Sequence, residues 1–189
     1  MAKLIYFMPT SLDGYIVDET GSPEWSAPSE EAFAFIIDLL RPIGTYLYGR
    51  KMYETMTVWE TPEVIPGGTP ATLEFARIWQ AAQKVVYSRS RETVSTAKTR
   101  LEREFDLDAV RELKARSRLD ITVAGPVLAA DAIRGGLVDE YHLLVVPALL
   151  GGGRRVLPAD VSMRLELVDE RRFGNGMVYL RYRVGRIKD

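Results

Sequence analysis

Residues 121–154, ITVAGPVLAADAIRGGLVDEYHLLVVPALLGGGR, decide the fold class of this chain. The apolar run 121–124 predicts a buried strand that ends at Gly125-Pro126. Residues 127–134 have helical spacing and are followed by Gly135-Gly136, a frequent helix stop. A second apolar run, 141–146, predicts another strand. The segment therefore forms a short β-α-β unit, whose two strands must be parallel.

The turn between the first strand and the helix suits a phosphate ligand. Glycine at position 125 lets a ligand approach the backbone, and the free amides of a helix N-terminus point at whatever lies there. This chemistry suits a pyrophosphate. The turn lacks the usual G-x-G-x-x-G pattern, however, and a tight turn without any ligand explains it equally well.

The rest of the chain continues the alternation of strands and helices. Further strands are predicted at residues 3–8, 15–17, 45–48, 84–87, 93–97, 164–173 and 177–186. Further helices are predicted at residues 28–41, 49–56, 71–82 and 107–115, and a proline- and glycine-rich loop at 57–70. Gly174-Asn175-Gly176 predicts a hairpin turn between the last two strands. We expect one α/β domain over residues 1–189, with a mostly parallel twisted sheet, helices on both faces and an antiparallel C-terminal hairpin.

Composition limits the function. A chain of 189 residues is long enough for one domain that buries roughly 70% of its unfolded surface. A net charge of −1 without a dense basic run argues against nucleic acid or an anionic membrane as a partner. No apolar run approaches the roughly 20 residues that span a bilayer. With no cysteine and one histidine, we expect no disulfide, no metal site and a cytoplasmic protein.

Small or basic clusters follow three of the predicted strands, at residues 48–51 (YGRK), 87–91 (YSRSR) and 124–126 (AGP). In open α/β sheets, ligands bind beyond the carboxyl ends of the strands. Any one cluster is explained by basic side chains that solvate the surface. All three together favour a cationic cleft for a phosphorylated ligand. Because the hydroxyl of Ser88 and the guanidinium of Arg89 can both donate to a 2'-phosphate, the hypothesis is NADP rather than NAD.

Five segments occur in an order that resembles the dihydrofolate-reductase-like superfamily, and within it the reductase domain of riboflavin biosynthesis. They are TSLDGYI (10–16), YLYGRKMYETM (46–56), KVVYSRS (84–90), the segment 121–153 and RRFGNGMVYLRY (171–182). The resemblance covers nearly the whole chain. It implies a dihydrofolate-reductase-like fold, bound NADPH, a small-molecule substrate and a homodimer.

The resemblance also implies roles for particular residues. The adenosine 2'-phosphate side of NADPH would lie against Gly49, Arg50, Lys51, Ser88 and Arg89. The pyrophosphate and nicotinamide would lie along Gly125, Pro126, Val127 and Leu128. The loop that closes on nicotinamide and substrate would be Ser11, Leu12, Asp13 and Gly14. Gly151, in the run 151–153, either passes close to the nicotinamide, which the resemblance favours, or belongs to a flexible turn. Trp25 is, by its side chain alone, a candidate to stack on a ring.

Glu30 is the candidate proton donor. The segment from Trp25 to Glu30 resembles a dihydrofolate reductase pattern in which the acid assists protonation of the pterin. Glu30 shares a helical face with Phe33 and Ile37, so we expect it to point toward the core. The alternative is that Glu30 only complements the helix dipole in the first turn.

Several other residues carry weaker hypotheses. Asp13 either binds substrate or shapes the turn before Gly14. We expect His142, in mid-strand, to be packed rather than catalytic, and Trp59 and Trp79 to fill core or subunit contacts. The basic pair 154–155 could meet a substrate phosphate or only water. Alternating apolar residues in the last strand, Val178, Leu180, Tyr182 and Val184, suggest a sheet edge that a second copy covers.

The sequence thus predicts an NADPH-dependent reductase that transfers hydride to a heterocyclic or ribosylamine substrate, as in the riboflavin-type reaction. Reduction of dihydrofolate or another pterin is the alternative, and an inward-facing Glu30 would favour it. A nucleotide-binding protein without turnover is a third possibility.

Overall fold

The computed structural model describes residues 1–65 and 68–185. The strands are β1 (Leu4–Ser11), β2 (Tyr15–Val17), β3 (Ile43–Gly49), β4 (Gln83–Tyr87), β5 (Thr99–Glu102), β6 (Asp120–Ala124), β7 (Glu140–Val146), β8 (Arg154–Arg155), β9 (Leu165–Arg172) and β10 (Val178–Val184). The helices are α1 (Glu30–Leu40), α2 (Arg50–Met56), α3 (Pro70–Ala81), α4 (Leu107–Arg116) and α5 (Pro126–Arg134). Short 3-10 helices lie at Glu24–Ser26, Thr57–Glu60 and Pro62–Val64.

One sheet forms the centre of the fold, in the order β5-β4-β3-β6-β1-β7-β10-β9. Every neighbouring pair from β5 to β7 is parallel, and β10 is antiparallel to both β7 and β9. The short strands β2 and β8 pair separately. The predicted fold class, including the β-α-β unit of β6, α5 and β7 and the C-terminal hairpin, is confirmed.

The helices cover both faces of the sheet. Tyr46 and Gly49 point to opposite faces, because side chains alternate along a strand. Phe33 of α1 and Phe75 of α3 line the same cleft as Tyr46, and their rings lie 5.6 Å apart. On the other face, a Cβ added to Gly49 would lie 3.9 Å from the Cβ of Leu128 in α5.

Side-chain caps fix where two of these helices begin. The hydroxyl of Ser29 accepts a hydrogen bond from the amide of Ala32 at the start of α1. Thr69 and Thr72 form a reciprocal capping box before α3, whose first residue is proline. Both patterns are typical helix starts. The two helices contact each other, and each contributes a phenylalanine to the lining of the cleft.

The first strand is longer than predicted. Pro9 does not stop it, and β1 continues to Ser11. The reason is its pairing: β1 contacts β6 only as far as Tyr6, whereas it contacts β7 through Ser11. A strand with one neighbour tolerates the missing amide of proline.

The strand predicted at residues 93–97 is wrong, and the edge strand β5 lies at Thr99–Glu102 instead. The hydroxyl of Tyr53 accepts hydrogen bonds from the amides of Ser95 and Thr96 at 2.9 and 3.2 Å. These amides therefore cannot join a sheet ladder. The predicted loop 57–70 contains two 3-10 helices, and its residues 66–67 lie outside the described residues, as does Arg186 at the end of the last predicted strand.

The C-terminal hairpin leaves β9 at the edge of the sheet. Val178, Leu180 and Tyr182 in β10 are half-buried, and Val184 is exposed. The homodimer expected from this hairpin stays a prediction. None of the helices in residues 1–65 and 68–185 is long and apolar enough to cross a membrane.

Candidate active site

A large cleft lies beside the carboxyl ends of β3, β4 and β6. Its volume is about 1430 Å³, more than the roughly 300–1,000 Å³ of most small-molecule sites. It is bounded by α1 and α3 on one side and by α2 and the amino end of α5 on the other. The cleft has room for a dinucleotide together with a second ligand.

The amino end of α5 forms one wall. Gly125 precedes the helix with φ of +93°, and no side chain caps the first amides. Gly125, Pro126, Val127 and Leu128 all line the cleft. A side chain at position 125 would bring its Cβ to 3.3 Å from the Cβ of Met52. The glycine therefore keeps this corner open, and the free amides of the first turn are suited to an anionic group.

Basic side chains at the start of α2 form the neighbouring wall. Gly49 ends β3, and Arg50 and Lys51 are exposed and line the cleft. Arg50 donates to the carboxylate of Glu54 at 3.2 Å, and Arg91 donates to the same carboxylate oxygen at 3.1 Å. An exposed pair of this kind contributes little to stability. Arg50 can therefore exchange Glu54 for a phosphate at small cost.

The predicted cluster after β4, residues 87–91, reaches the cleft through Tyr87, but Ser88 and Arg89 do not line it. Ser88 is buried, its hydroxyl accepts from the amide of Arg91 at 3.1 Å, and its own amide donates to Glu102. Arg89 has 81% of its side chain exposed and pairs with Glu104. After β4 the chain turns toward β5 rather than across the sheet edge. The structure therefore does not bring Ser88 and Arg89 into the cleft with Arg50 and Gly125, whereas Tyr87 of the same cluster does line it.

Asp13 occupies a structural position between two loops. Its carboxylate accepts hydrogen bonds from the hydroxyl of Ser11 at 2.6 Å, the amide of Gly151 at 2.7 Å and the amide of Leu150 at 3.1 Å. The hydrogen bond from Ser11, followed by those from the backbone amides, lowers the pKa of Asp13 to about 2. Asp13 thus stays ionised, and of its two predicted roles the geometry favours shaping the loops over contacting substrate.

The other residues of the predicted closing loop also lie beside the cleft rather than in it. Ser11 is buried, and its hydroxyl accepts from the amide of Tyr15 at 2.9 Å. Gly14 has φ of +86° and closes the turn through a hydrogen bond from its amide to the carbonyl of Ser11. Ser11, Asp13, Gly14 and Gly151 are not among the residues that line the cleft. These four residues therefore act on the cleft only indirectly, by fixing the loops that contain them.

Glu30 does not face the core. It begins α1 with an exposed side chain and does not line the cleft. The inward orientation predicted from its helical face is wrong. Glu30 is the first residue of α1, and at this end of the helix the side chain is exposed rather than packed against the core. Trp25 is also outside the cleft lining, and its indole N–H donates to the carbonyl of Ser22 at 3.2 Å.

The inner end of the cleft is aromatic, a feature that the sequence interpretation missed. The rings of Phe33, Trp59 and Phe75 form a cluster, with 4.3 Å between the centroids of Trp59 and Phe75. Tyr46 and Tyr48 stack on each other at 5.6 Å and line the same space. One signal was available: two tyrosines at alternate positions in a buried parallel strand, where Val, Ile and Leu are typical.

Charged residues lie around the mouth of the cleft. Arg154 and Arg155 form β8, which pairs with β2, and both are exposed and line the cleft. Asp18 and Glu19 line it from the segment after β2. The guanidinium of Arg155 lies 5.3 Å from the ring centroid of Tyr15. The exposed lining of the cleft therefore includes basic side chains from two elements, α2 and β8.

The single histidine is packed, as predicted. His142 is 3% exposed; its Nε2 lies 3.0 Å from Glu140 and its Nδ1 lies 3.0 Å from the hydroxyl of Tyr179. Burial lowers the pKa of His142 despite the neighbouring carboxylate of Glu140. Trp79 is fully buried in the core, as predicted. His142 and Trp79 serve packing rather than the cleft, whereas Trp59, which was also predicted to fill core or subunit contacts, is partly buried and lines the cleft.

Comparison with known proteins identifies the family to which the chain belongs. Residues 2–179 match the family model of the RibD C-terminal domain. The uncharacterized protein YyaP of Bacillus subtilis (strain 168) is 29% identical over 186 residues, which cover 95% of this chain and 94% of that protein.

Solved structures share the fold. A protein of Shewanella sp. PV-4, provisionally assigned to riboflavin biosynthesis, superposes with a TM-score of 0.77 at 22% identity, covering 98% of this chain and all of that one. The dihydrofolate reductase of Enterococcus faecalis, complexed with NADP(H), superposes with a TM-score of 0.64 at 13% identity, covering 97% of each chain.

Proposed function

Because the chain belongs to the RibD C-terminal domain family, a family of reductases, we propose that it is an NADPH-dependent reductase. The proposed reaction transfers hydride to a heterocyclic or ribosylamine substrate, in the manner of 5-amino-6-(5-phosphoribosylamino)uracil reductase. One observation carries the proposal. The uncapped amino end of α5 and the side chain of Arg50 face the same cleft as an aromatic inner wall.

The residues present fit the phosphates of NADPH. The amides of the first turn of α5 would hold the pyrophosphate, and Gly125 leaves the space for it. Arg50 and Lys51 would hold the 2'-phosphate, since a guanidinium binds phosphate through two parallel hydrogen bonds. NADPH, when bound, supplies the hydride. The chain supplies position, because acids and bases are few along the inner wall.

The mouth of the cleft supports a substrate with a phosphorylated tail. Arg154 and Arg155 line the cleft and are free of carboxylate partners among the described residues. A ribosyl phosphate could lie against them while the ring reaches the aromatic end. This arrangement would leave the reacting carbon between the two arginines and the aromatic end of the cleft, and it would shield that carbon from water.

Reduction of a pterin is less well supported. That reaction uses an acid next to the ring, and Glu30 is exposed and outside the cleft. The alternative of a nucleotide-binding protein without turnover keeps the same cofactor contacts. It differs from the main proposal only in the absence of NADPH oxidation.

A fluorescence titration of the purified protein with NADPH and NADH tests the cofactor first. We expect micromolar binding of NADPH and clearly weaker binding of NADH. NADPH oxidation, followed at 340 nm with ribosylaminouracil phosphates and dihydropterins, then tests the reaction. Binding of neither cofactor would contradict the reductase proposal, and binding without oxidation of any acceptor would favour the non-catalytic alternative.

A further inference from the structure

Tyr46 has a buried hydroxyl group that lacks a hydrogen-bond partner among the described residues. The residue is 3% exposed and lines the inner end of the cleft. Among the described residues, nothing forms a hydrogen bond with its hydroxyl. Its neighbour across the sheet, Thr122, donates its own hydroxyl to the carbonyl of Ile5 at 3.0 Å. The next tyrosine on the same face, Tyr48, accepts from the indole of Trp79 at 3.1 Å.

An unpartnered hydroxyl at such a position is costly. Buried side-chain polar atoms in proteins nearly always have a hydrogen-bond partner, and those that lack one call for an explanation. Burial raises the pKa of Tyr46 well above its ordinary range. The group therefore stays protonated at all physiological pH values and acts as a hydrogen-bond donor. An acceptor on a ligand would satisfy it.

The surroundings of Tyr46 restrict the kind of ligand. The cleft that Tyr46 lines is also lined by the rings of Phe33 and Phe75 and by the aliphatic side chains of Ile36 and Leu40. The charged lining residues belong to the mouth, on the segment after β2 and on α2, α5 and β8. A charge brought to the inner end would lose its hydration without gaining a counter-ion. Flat apolar walls instead favour an aromatic ring.

We propose that the inner end of the cleft binds the uncharged, flat ring of the substrate, and that the hydroxyl of Tyr46 donates a hydrogen bond to a carbonyl oxygen or ring nitrogen of that ring. This inference rests on the proposed function, in that it takes the cleft to be the substrate site. Phe33 and Trp59 are only half-buried, so their rings can turn aside to admit the ligand. Tyr46 is then a specificity-determining residue, and the charged part of the substrate stays at the mouth.

Three small probes of similar shape separate the elements of this proposal. Coumarin is flat and uncharged and carries a carbonyl acceptor; naphthalene lacks the acceptor; coumarin-3-carboxylate carries a negative charge. Quenching of the tryptophan fluorescence, to which Trp59 in the cleft contributes, reports binding. We expect coumarin to bind most tightly. We expect Tyr46→Phe to weaken coumarin binding about tenfold, as for the loss of one buried hydrogen bond, and to leave naphthalene binding unchanged.

Tyr48→Phe is the matched control. It removes a hydroxyl from the same face of β3, but that hydroxyl is engaged by Trp79. We expect Tyr48→Phe to lower the thermal unfolding temperature and to leave the preference for coumarin over naphthalene intact. Tyr46→Phe should unfold at the same temperature as the parent or higher, because it removes a donor that has no partner within the protein.

Equal coumarin affinity in the parent and in Tyr46→Phe would overturn the proposal, and so would tighter binding of coumarin-3-carboxylate than of coumarin. The NADPH titration on the same proteins separates this result from the proposed function. If Tyr46→Phe bound coumarin as tightly as the parent while both proteins bound NADPH, only the proposed site for the substrate ring would be refuted. If the parent did not bind NADPH but Tyr46→Phe still bound coumarin more weakly than the parent, the reductase proposal would be refuted. The proposed site for the ring would then remain.

Discussion

The carboxylate of Asp13 accepts a 2.7 Å hydrogen bond from the backbone amide of Gly151. The two residues are far apart in sequence, and the bond joins the turn after β1 to the glycine-rich loop before β8. Leu150 donates to the same carboxylate at 3.1 Å. Because β8 carries Arg154 and Arg155 to the mouth of the cleft, Asp13 fixes the position of residues that it does not touch.

Asp13→Asn should loosen the glycine-rich loop. The amide replaces a charged acceptor with a neutral one, and hydrogen bonds to charged groups are the stronger kind. At pH 7 we expect faster hydrogen exchange at the amides of Leu150 and Gly151 in the variant than in the parent. Unchanged protection of both amides would show that the loop is held by other contacts.

The same contact should be pH-dependent in the parent. The pKa of Asp13 is lowered from 3.8 to about 2 in the folded protein. A lowered carboxyl pKa stabilises the folded state above pH 3.8, and this stabilisation is lost as the pH falls through about 2. Protection of the Gly151 amide, corrected for intrinsic exchange, should therefore hold from pH 7 to about 4 and decline below that.

Gly125→Ala should destabilise the protein, whereas Gly49→Ala should not. Gly125 has φ of +93°, and an added Cβ would lie 3.3 Å from Met52. At Gly49, φ is −75° and the added Cβ would meet only Leu128 at 3.9 Å. We expect a loss of about 1 kcal/mol or more in the free energy of unfolding for Gly125→Ala and less than about 0.5 kcal/mol for Gly49→Ala. Chemical denaturation of both variants measures the difference.

Arg50→Ala and Arg89→Ala should differ in cofactor binding. Arg50 lines the cleft, whereas the side chain of Arg89 is 81% exposed and pairs with Glu104 away from it. We expect Arg50→Ala to weaken NADPH binding about tenfold or more, as for the loss of a hydrogen bond to a charged group, with a smaller effect on NADH. Arg89→Ala should bind both like the parent. Equal NADPH and NADH affinities in all three proteins would count against a 2'-phosphate site.

Glu30→Gln should have little effect on either turnover or stability. Its side chain is exposed at the first turn of α1 and outside the cleft. The expected cost is the loss of a favourable helix-dipole interaction, about 0.5 kcal/mol. Steady-state rates on the true substrate provide the measurement, with Glu31→Gln as the neighbouring control. A large fall in the rate for Glu30→Gln alone would restore the proton-donor hypothesis.

His142 should titrate below its ordinary value. It is the single histidine of the chain, so its imidazole gives one isolated signal in proton NMR. Burial lowers its pKa below 6.5. The unfolded chain then binds a proton more readily than the folded one, so stability contributed by neutral His142 is complete above pH 6.5 and falls as the pH drops below it. A titration midpoint at or above 6.5 would contradict this.

Local patterns predicted the elements of the fold well. The β6-α5-β7 unit and the Gly-Asn-Gly hairpin follow from spacing and turn residues that lie within a few positions of one another, whereas α1 begins at Glu30, two residues after its predicted start. Errors arose where a distant side chain decided the outcome. Residues 93–97 look like a strand, but the hydroxyl of Tyr53 takes the amides of Ser95 and Thr96.

The candidate site was only partly predictable for the same reason. The sequence indicated Gly125 and Arg50 because each stands directly after a strand, and the carboxyl ends of parallel strands meet at one edge. It did not show that the chain after Ser88 turns away toward β5, or that Glu30 faces outward.

The sequence by itself therefore determined the parallel sheet, its order of strands and helices along the chain, and the glycine and basic residues that follow its strands. These features depend on the spacing of apolar residues and on the positions of glycine and charged residues, all of which are local properties of the sequence. Only the tertiary structure decided that Asp13 holds the glycine-rich loop and that Tyr46, whose buried hydroxyl has no partner among the described residues, lines the same cleft as Phe33 and Phe75. Hydrogen-bond satisfaction and burial depend on which distant segments meet, and no local pattern records that.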